Sequence, residues 1–335
     1  MISVIVLAYN SADFVCQAVD SILAERASPD TVEVIVMDNA SLDSTTAILH
    51  RHYDGVQGVH LMRTDVGLGF AGGNNRAAAL ARGDILLFLN DDCALEPGCL
   101  AAVCDDFAMD SELGIVQCGL ASADGGHWDA LGLTMDSWGL LRVRGEGVER
   151  SRLQPTLEKV FAAKGAALAI RRSLWEQLAG FDEALRFLFE DADLSWRALL
   201  AGAGVAVSGR AVVRHRELAR YNSPGAKLEG SAWYLLTRHR IRSMLKNFSG
   251  RRLLSGGTAH LMLLGAYSIR EVCRGHPARA KDVVRALWWN AVRIRSTLRL
   301  RREVQRSRVV SDGQLLASGR LVRATPQSIT RSPMW

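Results

Sequence analysis

Apolar runs at residues 2–7, 32–37, 59–62, 85–89 and 114–118 alternate with segments 12–25, 42–52, 72–82 and 97–108, whose apolar positions recur at helical spacing. The runs are short, rich in Val, Ile and Leu, and bounded by polar or glycine-bearing turns, which predicts buried strands joined by helices. Such alternation calls for right-handed βαβ crossovers and a parallel sheet with helices on both faces, so the expected fold class is α/β. Ligands on sheets of this kind bind beyond the carboxyl ends of the strands. Polar residues collect there: Tyr9-Asn10 after the first run, Asp38-Asn39 after the second and Asn90-Asp91-Asp92 after the fourth. Three polar strand ends in one sheet predict one crevice.

After the second run, Ser41 is expected to cap a helix with Asp43 or Ser44 in its first turn. Asp38, one residue past the run, is placed to accept hydrogen bonds from a nucleobase or ribose. Gly67-Leu68-Gly69-Phe70-Ala71-Gly72-Gly73-Asn74-Asn75 then leads into an alanine-rich helix. Glycines before a helix start let backbone amides approach a ligand, although a plain loop is an equally good reading of the segment. It is neither a P-loop nor a dinucleotide fingerprint, because the Gly-Lys-Ser/Thr ending is missing and it follows the third strand.

Two acidic clusters carry the candidate chemistry. The fourth run stops on Asn90-Asp91-Asp92, either a capped turn before Pro97 or a cation site; bound to Mg²⁺ or Mn²⁺, Asp92 would use hard oxygen chemistry, with water and diphosphate oxygens filling the remaining positions. Opposed unit charges at 4 Å interact by about 4 kcal/mol at an effective dielectric near 20, so a cation there would stabilise a departing diphosphate. The second cluster, Glu190-Asp191-Ala192-Asp193, opens an expected amphipathic helix that ends at Gly202. Macrodipole and (i, i+4) pairing with Arg197 account for Glu190 and Asp193. Asp191 is left over, and Phe187-Leu188-Phe189 before it would desolvate its carboxylate toward a useful base. His215, after Val212-Val213-Arg214, reads equally as a surface histidine or a further metal ligand.

The 335 residues are 48% hydrophobic with a net charge of +6, which suits one large domain with an appendage, or two domains. That charge is uneven: residues 1–220 carry 19 Lys and Arg against 30 Asp and Glu, and residues 221–335 carry 22 against 5. An acidic body would repel nucleic acid, and no nucleic-acid motif stands out. A basic tail suits an anionic membrane surface, where each facing basic residue contributes about 1 kcal/mol. Val284, Leu287, Ala291, Ile294 and Leu298 fall on one helical stripe beside Trp288-Trp289, as in a helix lying in a headgroup interface, packed on the body or at a dimer contact. Segment 253–269 is apolar but short and interrupted by Ser, Gly, Thr and His, so an interfacial or packed helix is expected instead of a span. The six cysteines show no zinc spacing and are expected as reduced, buried thiols. No signal-peptide pattern opens the chain, so the catalytic body is expected in the cytoplasm, peripheral on the inner membrane face.

Ala8-Tyr9-Asn10, Met37-Asp38-Asn39-Ala40-Ser41, Gly69 to Asn75, Leu89 to Asp92, Gly165-Ala166-Ala167-Leu168, Gly180-Phe181-Asp182-Glu183 and Glu190 to Arg197 occur in one order. Over about residues 1–248 this string resembles family 2 glycosyltransferases with a GT-A fold, nearest the bacterial rhamnosyltransferase-like branch. The resemblance implies a Rossmann-like, mostly parallel nucleotide-sugar-binding sheet with helices on both faces (1–225); the charge and helical spacing after it predict a basic helical region (226–304), and the loss of periodicity beyond Gln305 with its Ser, Arg and Pro predicts a flexible tail (305–335). It implies inverting transfer from a dTDP- or UDP-sugar to a glycan acceptor, lipid-linked if the tail meets a membrane, with Mg²⁺ or Mn²⁺ as cofactor. The residues carried over are Ala8, Tyr9, Asn10, Asp38, Gly72, Asn74, Asn75, Asn90, Asp91 and Arg240 for the nucleotide-sugar, Asp92 and His215 for the metal, and Asp191 with Glu190 for catalysis. Asn90 stands where the family's metal motif has its first acid, and His239 where Asn is usual in the Arg238-His239-Arg240 segment. A transferase must exclude water, so residues 121–160 are expected to cover the acceptor side. A sugar nucleotidylyltransferase and a non-catalytic nucleotide-sugar-binding scaffold are the competing readings, and self-association is left open.

Overall fold

The computed structural model describes residues 1–26, 28, 31–216 and 231–325. The chain begins β1 (Ile2–Ala8), α1 (Val15–Glu25), β2 (Val32–Asp38), α2 (Thr45–Tyr53), β3 (Val59–Arg63), α3 (Gly69–Ala78) and β4 (Ile85–Asn90). It continues through β5 (Cys93–Leu95), α4 (Cys99–Met109), β6 (Leu113–Ser122), β7 (Trp128–Ala130), β8 (Leu133–Asp136), β9 (Leu141–Val143), β10 (Leu157–Lys159), β11 (Ala167–Arg171), α5 (Arg172–Gln177), α6 (Glu190–Leu200) and β12 (Gly204–His215). After these come α7 (Ala232–Asn247), α8 (Gly250–Arg252), α9 (Thr258–Cys273), α10 (Pro277–Val292), α11 (Ile294–Ser307), α12 (Asp312–Ala317) and β13 (Leu321–Val322).

Two compact units result. The first takes in residues 1–133, 143–198 and 203 to the end of β12; the second takes in 134–142, 199–202 and the region from α7 onward. A ten-stranded mixed sheet runs β10-β12-β6-β11-β4-β1-β2-β3, with β5 paired to β12 and β7 to β6, and it belongs to the first unit. The expected strands β1 to β4 are parallel neighbours, and β1 and β2 are almost wholly buried, which explains their unbroken apolar runs. β3, at the edge, exposes His60, Met62 and Arg63.

Between β4 and β6 lies a strand that the early alternation did not anticipate. β11 pairs antiparallel with both neighbours, Leu168 opposite Phe88 on one side and Gln117 on the other. Because it runs backwards, the residues just before it, Lys164-Gly165-Ala166, sit at the carboxyl end of β4. The Asn90 amide donates to the Ala166 carbonyl at 2.9 Å.

Several local expectations change. Gly72 and Gly73 lie inside α3, in line with the helix read over 72–82 and not in a ligand-facing turn or plain loop ahead of it: a Cβ on Gly73 would meet Leu7 Cδ1 at 2.5 Å, so the glycine lets the helix press onto β1. Ser41 does not cap α2; its hydroxyl accepts from the Asn10 amide, while Asp43 accepts from the Thr45 amide. Helix α6 is buried nearly all round instead of amphipathic, and its Asp193–Arg197 pair closes at 2.8 Å within the core. Residues 121–160 hold short strands β7 to β10. Cys104 and Cys273 are exposed, whereas Cys93, Cys99 and Cys118 are buried, and all six thiols are free.

In the second unit β13-β8-β9 form a small sheet and the helices carry the rest. The stripe expected on one helix is divided between α10 and α11, which break at Arg293. Of the segment expected as a flexible tail, 305–325 continues α11 and adds α12, which opens on a Ser311–Gln314 capping box, and β13; the remainder and the expected boundary at 225 lie outside the described residues. Among the described residues no helix is long and apolar enough to cross a membrane.

Candidate active site

The acidic end of β4 divides its labour. Asp91 turns inward and accepts from the Tyr9 amide at 3.1 Å, stitching the ends of β1 and β4. Asp92 faces the end of β12, where antiparallel pairing with β5 places His215 opposite Cys93. His215 Nε2 lies 3.6 Å from Asp92 Oδ1, and both side chains are about nine-tenths buried. Among the described residues Asp92 Oδ1 is buried without a hydrogen-bond partner. An orphaned carboxylate oxygen is costly, and one that faces an imidazole nitrogen suits a divalent cation. Asp92, His215 and Cys93 offer donor atoms within 4.8 Å of one another. Burial pushes the Cys93 thiol well above its ordinary value, and the charges of Asp92, Asp91 and Asp129 push it the same way.

Behind His215 stands a residue that the sequence did not reveal. Asp129, on β7, lies 2.9 Å from His215 Nδ1 and 2.8 Å from the Lys164 ammonium. Burial raises the Asp129 carboxyl, but the hydrogen bond to His215 and the Lys164 charge outweigh it and hold the group below the ordinary range. An ionised carboxylate at Nδ1 favours the proton there and leaves the Nε2 lone pair toward Asp92. Replacing Asp129 by Asn is expected to weaken Mn²⁺ binding by about 10–100-fold, read by calorimetry on the metal-free protein; unchanged affinity would show that the pair is only structural.

The second acidic cluster meets the first through the start of β11. Asp191 Oδ2 accepts from the Gly165 amide at 2.7 Å and Oδ1 from the Ala192 amide at 2.6 Å. Gly165 is tight as well as small: a Cβ there would sit 3.3 Å from Asp191 Cβ and 3.4 Å from the Phe70 ring. Burial raises the Asp191 carboxyl, with the two amides and Lys164 opposing. The loop before α6 holds Arg186, Leu188 and Phe189 at positive φ, a costly backbone that the Arg186 carbonyl helps pin by accepting from the Ala71 amide.

A family model described as glycosyl transferase family 2 matches residues 3–178. The chain belongs to glycosyl transferase family 2. The match takes in the β4 acids, Asp129 and Lys164, and ends before Asp191 and His215. Over 214 residues this family 2 glycosyltransferase is 28% identical to the succinoglycan biosynthesis protein ExoU of Rhizobium meliloti, covering 60% of this chain and 58% of that protein. It is 29% identical to ExoO of the same organism over 62% of this chain and 58% of that one, and 27% identical to the O-antigen biosynthesis protein RfbC of Myxococcus xanthus over 65% of this chain and 17% of RfbC. The chain thus spans less than two thirds of the length of these relatives. In fold it is similar to GalNAc-T7 with UDP, GalNAc and Mn²⁺ (TM-score 0.60, 16% identity, 75% of this chain and 48% of that one). It is similar too to the mannosyltransferase PcManGT from Pyrobaculum calidifontis with GDP-Man and Mn²⁺ (TM-score 0.53, 18% identity, 99% and 83%). These solved structures establish the GT-A-like fold.

Of the residues singled out in this glycosyltransferase, Tyr9, Asn90, Asp91, Asp92, His215 and Asp191 converge on the carboxyl end of the sheet. Others are held by the scaffold. Asp38 accepts from the Ser41 amide at 2.8 Å, from Arg63 at 2.6 Å and from Thr46, so a nucleobase would meet an Asp38–Arg63 pair instead of a free carboxylate. Asn10, at positive φ, accepts from the Leu42 amide, and Ala8 pairs with Asp38 in the sheet. Asn74 caps the Phe70 carbonyl, and Asn75 bonds Phe181 both ways at 2.9 and 3.0 Å, fastening α3 to the loop before α6. Arg240 belongs to the second unit, buried on α7, where burial lowers it to about 10 against the opposing charge of Asp136.

Glu190 is buried, with Oε2 unpartnered among the described residues. Burial pushes its carboxyl well above the ordinary value and the Asp191 charge adds to that. The folded protein therefore binds this proton more tightly than the unfolded chain, a contribution to stability present below the unfolded value of 4.5 and lost as pH rises through the folded one. Glu190→Gln is expected to raise Tm by an amount that grows from about pH 5 to about pH 8; thermal melts showing the same difference at both would rule out that titration.

Proposed function

We propose that this chain is an inverting hexosyltransferase, moving rhamnose or another hexose from a dTDP- or UDP-sugar to a glycan acceptor, lipid-linked, in cell-surface polysaccharide synthesis on the cytoplasmic side of the membrane. The observation that carries the reading is the meeting of the two acidic clusters at β11. Gly165 holds Asp191, and Ala166 holds the end of the strand that presents Asp92 opposite His215. Relatives in succinoglycan and O-antigen synthesis support a polysaccharide acceptor.

In this mechanism the acceptor oxygen attacks the anomeric carbon as its proton passes to the Asp191 carboxylate. The bond from that carbon to the diphosphate oxygen breaks with its electron pair on the diphosphate, and one displacement inverts the configuration. Asp92 and His215 fit a divalent cation, which when bound would supply Lewis-acid stabilisation of the leaving group. The two amides on Asp191 orient its carboxylate, and the parts of segment 121–160 that belong to the first unit help keep water from the sugar.

The test incubates the full chain and Mn²⁺ with dTDP-rhamnose, UDP-galactose, UDP-glucose or GDP-mannose and bacterial lipid extracts. Acceptor-dependent release of nucleoside diphosphate with one donor is expected. Pyrophosphate release would favour a nucleotidylyltransferase, and donor binding without release a scaffold.

A further inference from the structure

Helices α9 and α10 bury one stripe each and, among the described residues, leave the other exposed. On α9, His260, Leu264, Tyr267 and Glu271 face inward, and on α10 Val283, Ala286 and Asn290 do so. Leu264, Tyr267 and Val283 share a cluster with Ile241 of α7. The opposite face of α9 exposes Leu261, Met262, Ile269 and Val272, with Met262 at 75% and Ile269 at 68%. Gly265 and Ala266, also exposed, continue it. From Leu253 to Ile269 the sequence holds no Lys, Arg, Asp or Glu, so this outer face is free of charge along most of the helix. On α10, Val284, Leu287, Trp288 and Val292 are exposed, Trp288 at 70%. Its neighbour Trp289 is occupied instead, with the Arg238, Arg242 and Arg293 guanidinium groups over its ring.

Large apolar side chains exposed in series on ordered helices mark an interaction surface. The charge around them selects the occupant. Residues 231–325 contain 20 Lys and Arg against 4 Asp and Glu; Arg251, Arg270, Arg274, Lys281 and Arg285 are exposed on or next to these helices, Arg270 and Arg274 pairing with Glu271 and Arg285 with Asp282. A second copy would bring like charge against like, whereas an anionic surface is complementary. No helix among the described residues is suited to crossing a membrane, so the occupant lies against the helices.

We propose that the outer faces of α9 and α10 dock this protein on an anionic lipid bilayer. Met262, Ile269 and Trp288 enter the headgroup boundary and the flanking arginines meet lipid phosphates. The surface is independent of the sugar-transfer reading, and transfer to a water-soluble acceptor would survive its loss.

Flotation of the full chain tests it, using phosphatidylcholine vesicles with and without phosphatidylglycerol, at low salt and near 1 M salt, where the Debye length falls to about 3 Å. The wild type is expected to float with phosphatidylglycerol at low salt. The bound fraction should drop at least about tenfold in Met262→Glu/Ile269→Glu, since each buried apolar side chain contributes about that factor. Trp288→Phe supplies a second readout: brominated lipid should quench wild-type emission more than the variant's. Unaltered melting temperatures would show that these surface variants fold. The proposal is overturned if the wild type stays unbound, if the double variant floats equally, or if sedimentation shows the face to be a dimer contact that lipid does not compete with.

Discussion

Asp191→Asn is expected to reduce sugar transfer by about 10²–10⁴-fold, the usual share of a general base, with little change in nucleotide-sugar affinity. Asn keeps the size of the side chain but can accept from only one of the two amides that Asp191 serves, so a thermal melt of the variant accompanies the assay. What disappears is the basic oxygen. The wild-type rate should also fall on the acid side at a pH above the ordinary aspartate value of 3.8, because burial raises this carboxyl more than the Gly165 and Ala192 amides and Lys164 lower it. The base works only when ionised, so activity is present above the raised value and lost as pH falls through it. The Asn variant should have no such limb. A pH series of kcat/KM for both proteins, with donor binding measured in parallel, decides the matter; normal turnover in the variant would remove Asp191 from the chemistry.

Asp92→Asn is expected to cost at least about 100-fold in Mn²⁺ affinity, since even partners outside the ligand shell matter by 10–100-fold, and to collapse metal-supported transfer with it. Its effect on the metal-free protein should run the other way. Among the described residues Asp92 Oδ1 is buried without a hydrogen-bond partner, so exchanging the carboxylate for a neutral amide should leave Tm unchanged or higher. Loss of affinity without loss of stability is the signature of a residue kept for a ligand. A lowered Tm with unaltered Mn²⁺ titration, by electron paramagnetic resonance, would assign Asp92 to the fold alone.

Asp92 and Asp191 were legible because each borders a segment with strong periodicity. Asp92 follows the apolar run of β4, and Asp191 opens α6 ahead of residues whose capping and pairing roles could be subtracted. Asp129 was not legible. It sits on the three-residue strand β7 with no local pattern, and its importance comes from the antiparallel pairing with β6 that sets it beside His215. Lys164 was equally silent, although Gly165-Ala166 beside it carried a family motif. The glycines of α3 illustrate the converse: they were conspicuous, but whether Gly73 serves a ligand or a helix contact depends on how close Leu7 lies.

By itself the sequence determined the parallel β1–β4 core, the polar strand ends, the surplus acid at Asp191 and the basic character of the helical region, because these depend on periodicity, spacing and charge within short windows. Only the tertiary structure decided that β11 runs antiparallel between β4 and β6, that the two acidic clusters meet across Gly165 and Ala166, that Asp129 stands behind His215, and that α9 and α10 keep apolar faces exposed. Those are pairings and exposures between residues far apart in the chain, fixed by which backbone groups and side chains reach one another after folding, and no local pattern carries that information.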